Sequence, residues 1–165
     1  MTITGTTTDY SGRQVDIELL QSVQQLVSPQ RVHVSFTSEP VRITAGVEKL
    51  VQRYALLFLS AVEQVHFDTE QGTEFMIGVT AGYATTGGSV NRMFALANIR
   101  VRDQLLEEIE DTDTFGANQD DEVFSSAELL DFDVDFQSST LYLQILITTA
   151  AGETIEFLLP VTATR

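Results

Sequence analysis

The stretch Glu128-Leu-Leu-Asp-Phe-Asp-Val-Asp-Phe136 alternates between apolar and polar residues almost throughout. Strand side chains point to opposite faces with a period of two, so Leu130, Phe132, Val134 and Phe136 form one row and Asp131, Asp133 and Asp135 the other. Ser138-Ser139 punctuates, and Leu141, Leu143, Ile145 and Ile147 make the next inward row. After a turn at Ala150-Ala151-Gly152 a third strand points Ile155, Phe157 and Leu159 inward and Thr154, Glu156 and Leu158 outward. Three strands joined by short polar turns predict an antiparallel meander. Such a sheet has open edges where a neighbouring chain can add a strand, which points to assembly rather than chemistry. Asp131, Asp133, Asp135, Thr154, Glu156 and Leu158 are the expected partner-binding residues.

Upstream of the meander the period changes to that of helices. Val47, Leu50, Val51, Tyr54, Phe58 and Ala61 fall on one helical face, with Thr44 as the expected N-cap. Leu57 and Leu59 widen that face, so cover on more than one side is expected. A second long helix is predicted from about Ser89, as its cap, to Glu110, with Val90, Met93, Phe94, Ala97, Val101 and Leu105 on one side. Asp68 to Thr73 is a turn by composition, and the glycines at 78, 82, 87 and 88 leave the segment after it unassigned. Val15 to Val27 suggests a short amphipathic helix ended by Ser28-Pro29, because the residue before proline leaves the helical region. Arg31 to Phe36 alternates as a strand, and Val41-Arg42-Ile43 continues extended. Residues 1–12 are Thr-rich and read as a flexible arm, leaving 13–165 as a single domain. The expected fold is α+β, two principal helices packed on a small, mostly antiparallel sheet. Leu50, Tyr54, Phe58, Phe94, Phe132, Leu143, Ile145 and Phe157 are its expected core.

Composition excludes several function classes. The 165 residues hold no Cys, so thiolate nucleophiles, disulfides and Cys-based zinc sites are ruled out. Net charge is −15, from 24 acids and nine bases, which disfavours nucleic acid and anionic membranes and favours basic protein partners. The opening residues carry neither a basic nor an apolar signal region, and Tyr54 to Leu59 is too short to span a bilayer.

Candidate chemistry is sparse. Asp111 to Glu122 matches a calcium loop at positions 1, 3, 6 and 12, but position 5 is Phe115, which cannot ligate, and position 8 is Asn118. The reading preferred is a solvated acidic loop without metal. Glu107, Glu108, Glu110 and Asp111 load the C-terminal end of the second helix with charge that its macrodipole disfavours, a local cost that a basic partner relieves. Glu63, Asp68 and Glu70 show no spacing that marks a catalytic pair. His33 and His66 lack a carboxylate at ligand spacing. Gly46-Val-Glu-Lys49 lacks the glycine run of a phosphate cradle, and neither a Gly-x-Ser-x-Gly elbow nor a dinucleotide fingerprint is present. The expectation is a non-enzyme with no cofactor.

The order of elements is similar to the baseplate wedge and tail-sheath initiator family of contractile-tailed phages, some of whose members are called lysozyme-like for their shape. Three stretches carry the likeness. The first is Val47-Glu-Lys-Leu-Val-Gln-Arg-Tyr-Ala-Leu-Leu-Phe-Leu-Ser60 leading into Phe67-Asp-Thr-Glu-Gln-Gly72-Thr. The others are the helix from Ser89 to Glu110 and the closing Ile147-Thr-Thr-Ala-Ala-Gly152-Glu-Thr-Ile155. Many members place a Glu-Pro-Arg triplet before the first meander strand, where this chain reads Asp121-Glu-Val-Phe-Ser-Ser126. The resemblance implies a structural protein of the virion tail baseplate, made in the host cytoplasm and assembled in a ring. Its partners would be the tail sheath protein, whose arms add strands to the sheet edge, and other wedge and tube-proximal proteins. The rival readings are a cell-wall hydrolase on a lysozyme-like scaffold and a calcium-responsive adaptor. Clearing of a peptidoglycan suspension separates the first, and calcium calorimetry the second.

Overall fold

Along the chain run β1 (Asp16–Ile17), β2 (Val32–His33), β3 (Ile43–Thr44), α1 (Gly46–Leu59), α2 (Phe75–Thr80), α3 (Gly87–Thr112), β4 (Phe124–Asp135), β5 (Thr140–Thr149) and β6 (Thr154–Thr162). The computed structural model describes residues 16–17, 32–33, 43–62, 71–112 and 119–162. The fold is α+β. β4, β5 and β6 form the antiparallel meander, and β2 adds to β6 in parallel, giving the order β2-β6-β5-β4. β1 and β3 make a separate antiparallel pair.

The inward rows of β5 and β6 are those the alternation predicts: Leu141, Leu143, Ile145 and Ile147, with Phe157 and Leu159, are all buried. On them sit α1 through Leu50, Tyr54 and Phe58, and α3 through Val90, Phe94, Ala97, Val101 and Leu105. Aromatic rings join the layers. Tyr54 stacks on Phe58 and Phe124 and meets Phe157 edge-on, while Phe58 touches Phe75 and Phe94. Tyr54 also donates its hydroxyl to Asn98 Oδ1 at 3.1 Å. Burial pushes that phenol far above its usual pKa.

β4 departs from simple alternation. Its ladder to β5 slips between Phe124 and Ser126 and again between Leu129 and Asp131, so Ser125 and Leu130 are extra residues. The second bulge reverses the phase upstream. Leu129 packs on the core while Leu130 is 43% exposed, and Phe136 lies in the turn at 88% exposure. Neither belongs to the inward row that the spacing suggests. Phe132 is half-buried rather than enclosed, packing beneath the first turn of α3 near Gly87.

The helix starts correct two sequence expectations. Thr44 is in β3 and does not cap α1; the residue before that helix, Ala45, offers no side-chain cap. Glu122 does so from 76 positions away, its Oε1 accepting the Gly46 N–H at 3.0 Å. α3 begins before Ser89. Thr86 is its cap: Thr86 Oγ1 accepts the Ser89 N–H, and Ser89 Oγ accepts the Thr86 N–H, a reciprocal box closed by serine. The unassigned glycine segment contains α2, whose Phe75 and Val79 are buried.

Two further expectations meet the described residues only in part. Asp16–Ile17 is a strand, not the start of a helix, and the remainder of 15–27 lies outside the described residues. Val32–His33 and Ile43 are extended as expected. The arm 1–12, the flanks of the 31–36 strand, His66, Glu63, Asp68, Glu70 and the centre of the 111–122 loop also lie outside.

Candidate interaction surface

Register brings the expected partner residues onto one face. Glu128 lies opposite Leu146, which lies opposite Glu156; Asp131 aligns with Gln144 and Leu158; Asp133 aligns with Tyr142 and Pro160; Ser126 aligns with Thr148 and Thr154. Opposed residues of an antiparallel pair share a face with Cβ atoms about 5 Å apart. Asp131 and Asp133 on β4 therefore share the outer face with Thr154, Glu156 and Leu158 on β6, and β5 joins the two groups. The centre of this face is apolar or uncharged: Tyr142, Leu146, Leu158 and Pro160, all half-buried, with Gln144 donating to Glu156. Carboxylates of Glu128, Asp131 and Asp133 line one flank and Glu156 the other. A surface of this composition suits a partner that presents aliphatic or aromatic side chains with lysine or arginine at the rim.

Asp135 has a different place. Its carboxylate accepts the Ser138 hydroxyl at 2.7 Å and the Gln137 N–H at 2.8 Å, closing the β4–β5 turn. These bonds, the Ser138 hydroxyl foremost, hold its pKa below the usual aspartate range. In the same turn Ser139 adopts φ 54°.

The two sheet edges differ. β6 is already engaged by β2 at Phe157 and Leu158, so this edge is not open along its whole length. Among the described residues no strand pairs with the outer side of β4. Asn98 Nδ2 of α3 donates to the Ala127 carbonyl at 3.1 Å, which ties the first half of β4 to a helix. The segment from Leu129 to Asp135 remains for an added strand. Its aspartates and its bulge blunt the edge against indiscriminate pairing, so a partner has to bring matching charge.

The other polar feature is a cleft of about 20 Å³, lined by Lys49, Arg53, Glu108 and Glu122 among apolar neighbours. That is room for roughly one water. Lys49 pairs with Glu122 at 3.0 Å, and Arg53 pairs with Glu108. Burial raises the Glu108 pKa, and the charges of Arg53 and Lys49 pull it back down. Both carboxylates are held by bases, an arrangement that ties helices together. Glu122, position 12 of the calcium-loop pattern, is spent on this network. Among the described residues no group of three or more His, Asp or Glu is placed to hold a metal, and no helix is long and apolar enough to cross a membrane.

No protein-family model, curated protein or solved structure matches this chain. Tyr142, Gln144, Leu146 and Pro160 are the surface residues that strand-by-strand reading passes over. Carrying the period of two across β5 would have found the first three, because they are the complement of its inward row.

Proposed function

We propose that this chain is a structural subunit of a contractile-tail baseplate that templates the tail sheath by accepting a strand at the β4 edge. The observation that carries the reading is the juxtaposition of an edge strand, unpaired among the described residues, with the carboxylates Glu128, Asp131 and Asp133 on that same strand. Backbone hydrogen bonds along Leu129 to Asp135 would supply affinity, and the acidic flank would select a basic sheath arm. The order of helices and meander, similar to sheath initiators, adds support. So does the outer face, whose apolar centre gives the arriving segment somewhere to bury side chains.

The test mixes the purified chain with its cognate sheath protein and looks for short ordered rings by electron microscopy. The informative variant combines Glu128→Gln, Asp131→Asn and Asp133→Asn, sparing Asp135 because it closes the turn. Ring formation should fall, and fall more at low salt, where exposed charges are least screened. Unchanged nucleation at every salt concentration overturns the role given to the acidic flank. Absence of rings with the unaltered chain overturns the templating function.

A further inference from the structure

Asp131 Oδ1 accepts the N–H of Phe132 at 2.9 Å, so one backbone donor of β4 is held by the side chain of the residue before it. The ladder gives the direction of that donor. Backbone groups in an antiparallel pair turn alternately toward the partner strand and away from it. Ala127 lies opposite Ile147 and Phe132 opposite Leu143, and those two β5 residues are an even number of positions apart. Ala127 and Phe132 therefore turn their backbone groups to the same side. The Ala127 carbonyl accepts from Asn98 of α3 and the Phe132 N–H donates to Asp131, so that side is the outer edge. The bulge at Leu130 permits the reach, because the extra residue bends the strand immediately before Asp131.

A carboxylate in this position has two competing uses. While it holds the Phe132 N–H, the carbonyl of an arriving strand has no donor to take there. A lysine or arginine on the outer face draws the carboxylate into an ion pair and leaves the N–H to the incoming backbone. Register fixes where the base must stand. A residue paired with Phe132 puts its side chain on the inner face, beside half-buried Phe132, and its two neighbours on the outer face, opposite Asp131 and Asp133. The segment that fits carries a base, an apolar residue and a base in succession. A neutral strand meets a donor already taken, and the acidic β4 of a second copy is repelled as well.

We propose that Asp131 is a latch on the β4 edge, closed by its bond to Phe132 and opened by a basic residue of the entering strand. The latch rests on strand acceptance at this edge and adds how the edge chooses its strand.

The probes are two fluorescein-labelled ten-residue peptides, one alternating Lys with Val and the other Gln with Val. Each is titrated into the full chain by fluorescence anisotropy, with hydrogen exchange followed at the Phe132 and Val134 amides. The native chain should bind the Lys peptide roughly tenfold more tightly than the Gln peptide, with exchange slowed at both amides. Asp131→Ala removes the latch and should tighten the Gln peptide about fivefold, the scale of one freed hydrogen bond, while weakening the Lys peptide. Asp131→Asn keeps an acceptor for Phe132 without the charge that draws it away, and should bind both peptides weakly. Asp133→Ala separates the latch from plain charge. Among the described residues its carboxylate caps no backbone N–H, so the Gln peptide should bind that variant as it binds the native chain. If Asp131→Ala binds the Gln peptide no better, while the Lys peptide still slows exchange in the native chain, the latch is overturned and strand acceptance stands. If neither peptide slows exchange at Phe132 or Val134 in any of these chains, strand acceptance is overturned and the latch with it.

Discussion

Lys49 Nζ lies 3.0 Å from Glu122 Oε2, with both side chains almost fully enclosed, joining the first helix to the segment that opens the meander. The same carboxylate holds the Gly46 N–H, so a single side chain neutralises a buried cation and caps a helix. Removing one partner of a buried pair leaves the other charge uncompensated. Glu122→Ala should therefore cost about 3–5 kcal/mol, lowering the melting temperature by roughly 10 °C in a domain of this size. Lys49→Met with Glu122→Gln should recover most of the loss, because the amide can still accept from Gly46. Urea denaturation of the three proteins checks both statements.

Asn98 accepts from Tyr54 and donates to the Ala127 carbonyl, linking α1, α3 and β4. Asn98→Ala strands a buried hydroxyl and should cost about 1–3 kcal/mol. Hydrogen exchange should quicken in β4 more than in β5 or β6, because only β4 loses its tie to the helix. Uniform acceleration through the sheet would contradict this.

Glu108 makes stability depend on pH in an unusual direction. Burial raises its pKa in the folded chain above the ordinary glutamate value, against the pull of Arg53 and Lys49. The folded state then binds the proton more tightly than the unfolded one. Its contribution is fully present below the ordinary glutamate value and is lost as pH rises through the raised one. Relative to Glu108→Gln, the native chain should lose unfolding free energy as pH climbs through that window. A flat difference across it would remove the argument.

Two glycines separate backbone conformation from space. Gly72 has φ 95°, and a Cβ there would come within 2.5 Å of the Ser60 carbonyl oxygen. Gly82 has φ 78° with nothing near. Gly82→Ala should cost about 1–2 kcal/mol, the left-handed penalty alone. Gly72→Ala should cost clearly more and disturb the paired hydrogen bonds between Gly72 and the Gln104 amide. Thermal melts of the two variants make the comparison.

The bulge in β4 predicts opposite outcomes for adjacent leucines. Leu129 packs on the core and Leu130 does not. Leu129→Ala should cost about 2 kcal/mol or more, whereas Leu130→Ser should stay within about 0.5 kcal/mol. Equal effects would place the bulge elsewhere.

That pair also marks where sequence reading runs out. β5 and β6 are legible because one face of each is buried along an unbroken ladder, so Leu143, Ile145, Phe157 and Leu159 declare the phase directly. In β4 the Leu-Leu pair at 129 and 130 admits two phases, and only the position of the slip against β5 selects between them. The helices α1 and α3 are legible from period; their starts are not, because the caps come from Thr86 with a serine and from Glu122, far along the chain. α2 is hidden by Gly78 and the glycines around it; Gly78 packs so closely on Met93 Cε that an added Cβ would have to displace the methionine's end. For the candidate surface, alternation alone reveals Asp131 and Asp133, but what lies between them and Glu156 requires the strand register.

The long reach of Glu122 sets an order of events during synthesis. α1 leaves the ribosome with its first turn uncapped, and dozens of residues are added before the carboxylate follows. Nascent chains halted before residue 122 should therefore keep that turn frayed, and its ordering would report the moment when α1 first meets the segment that opens the meander.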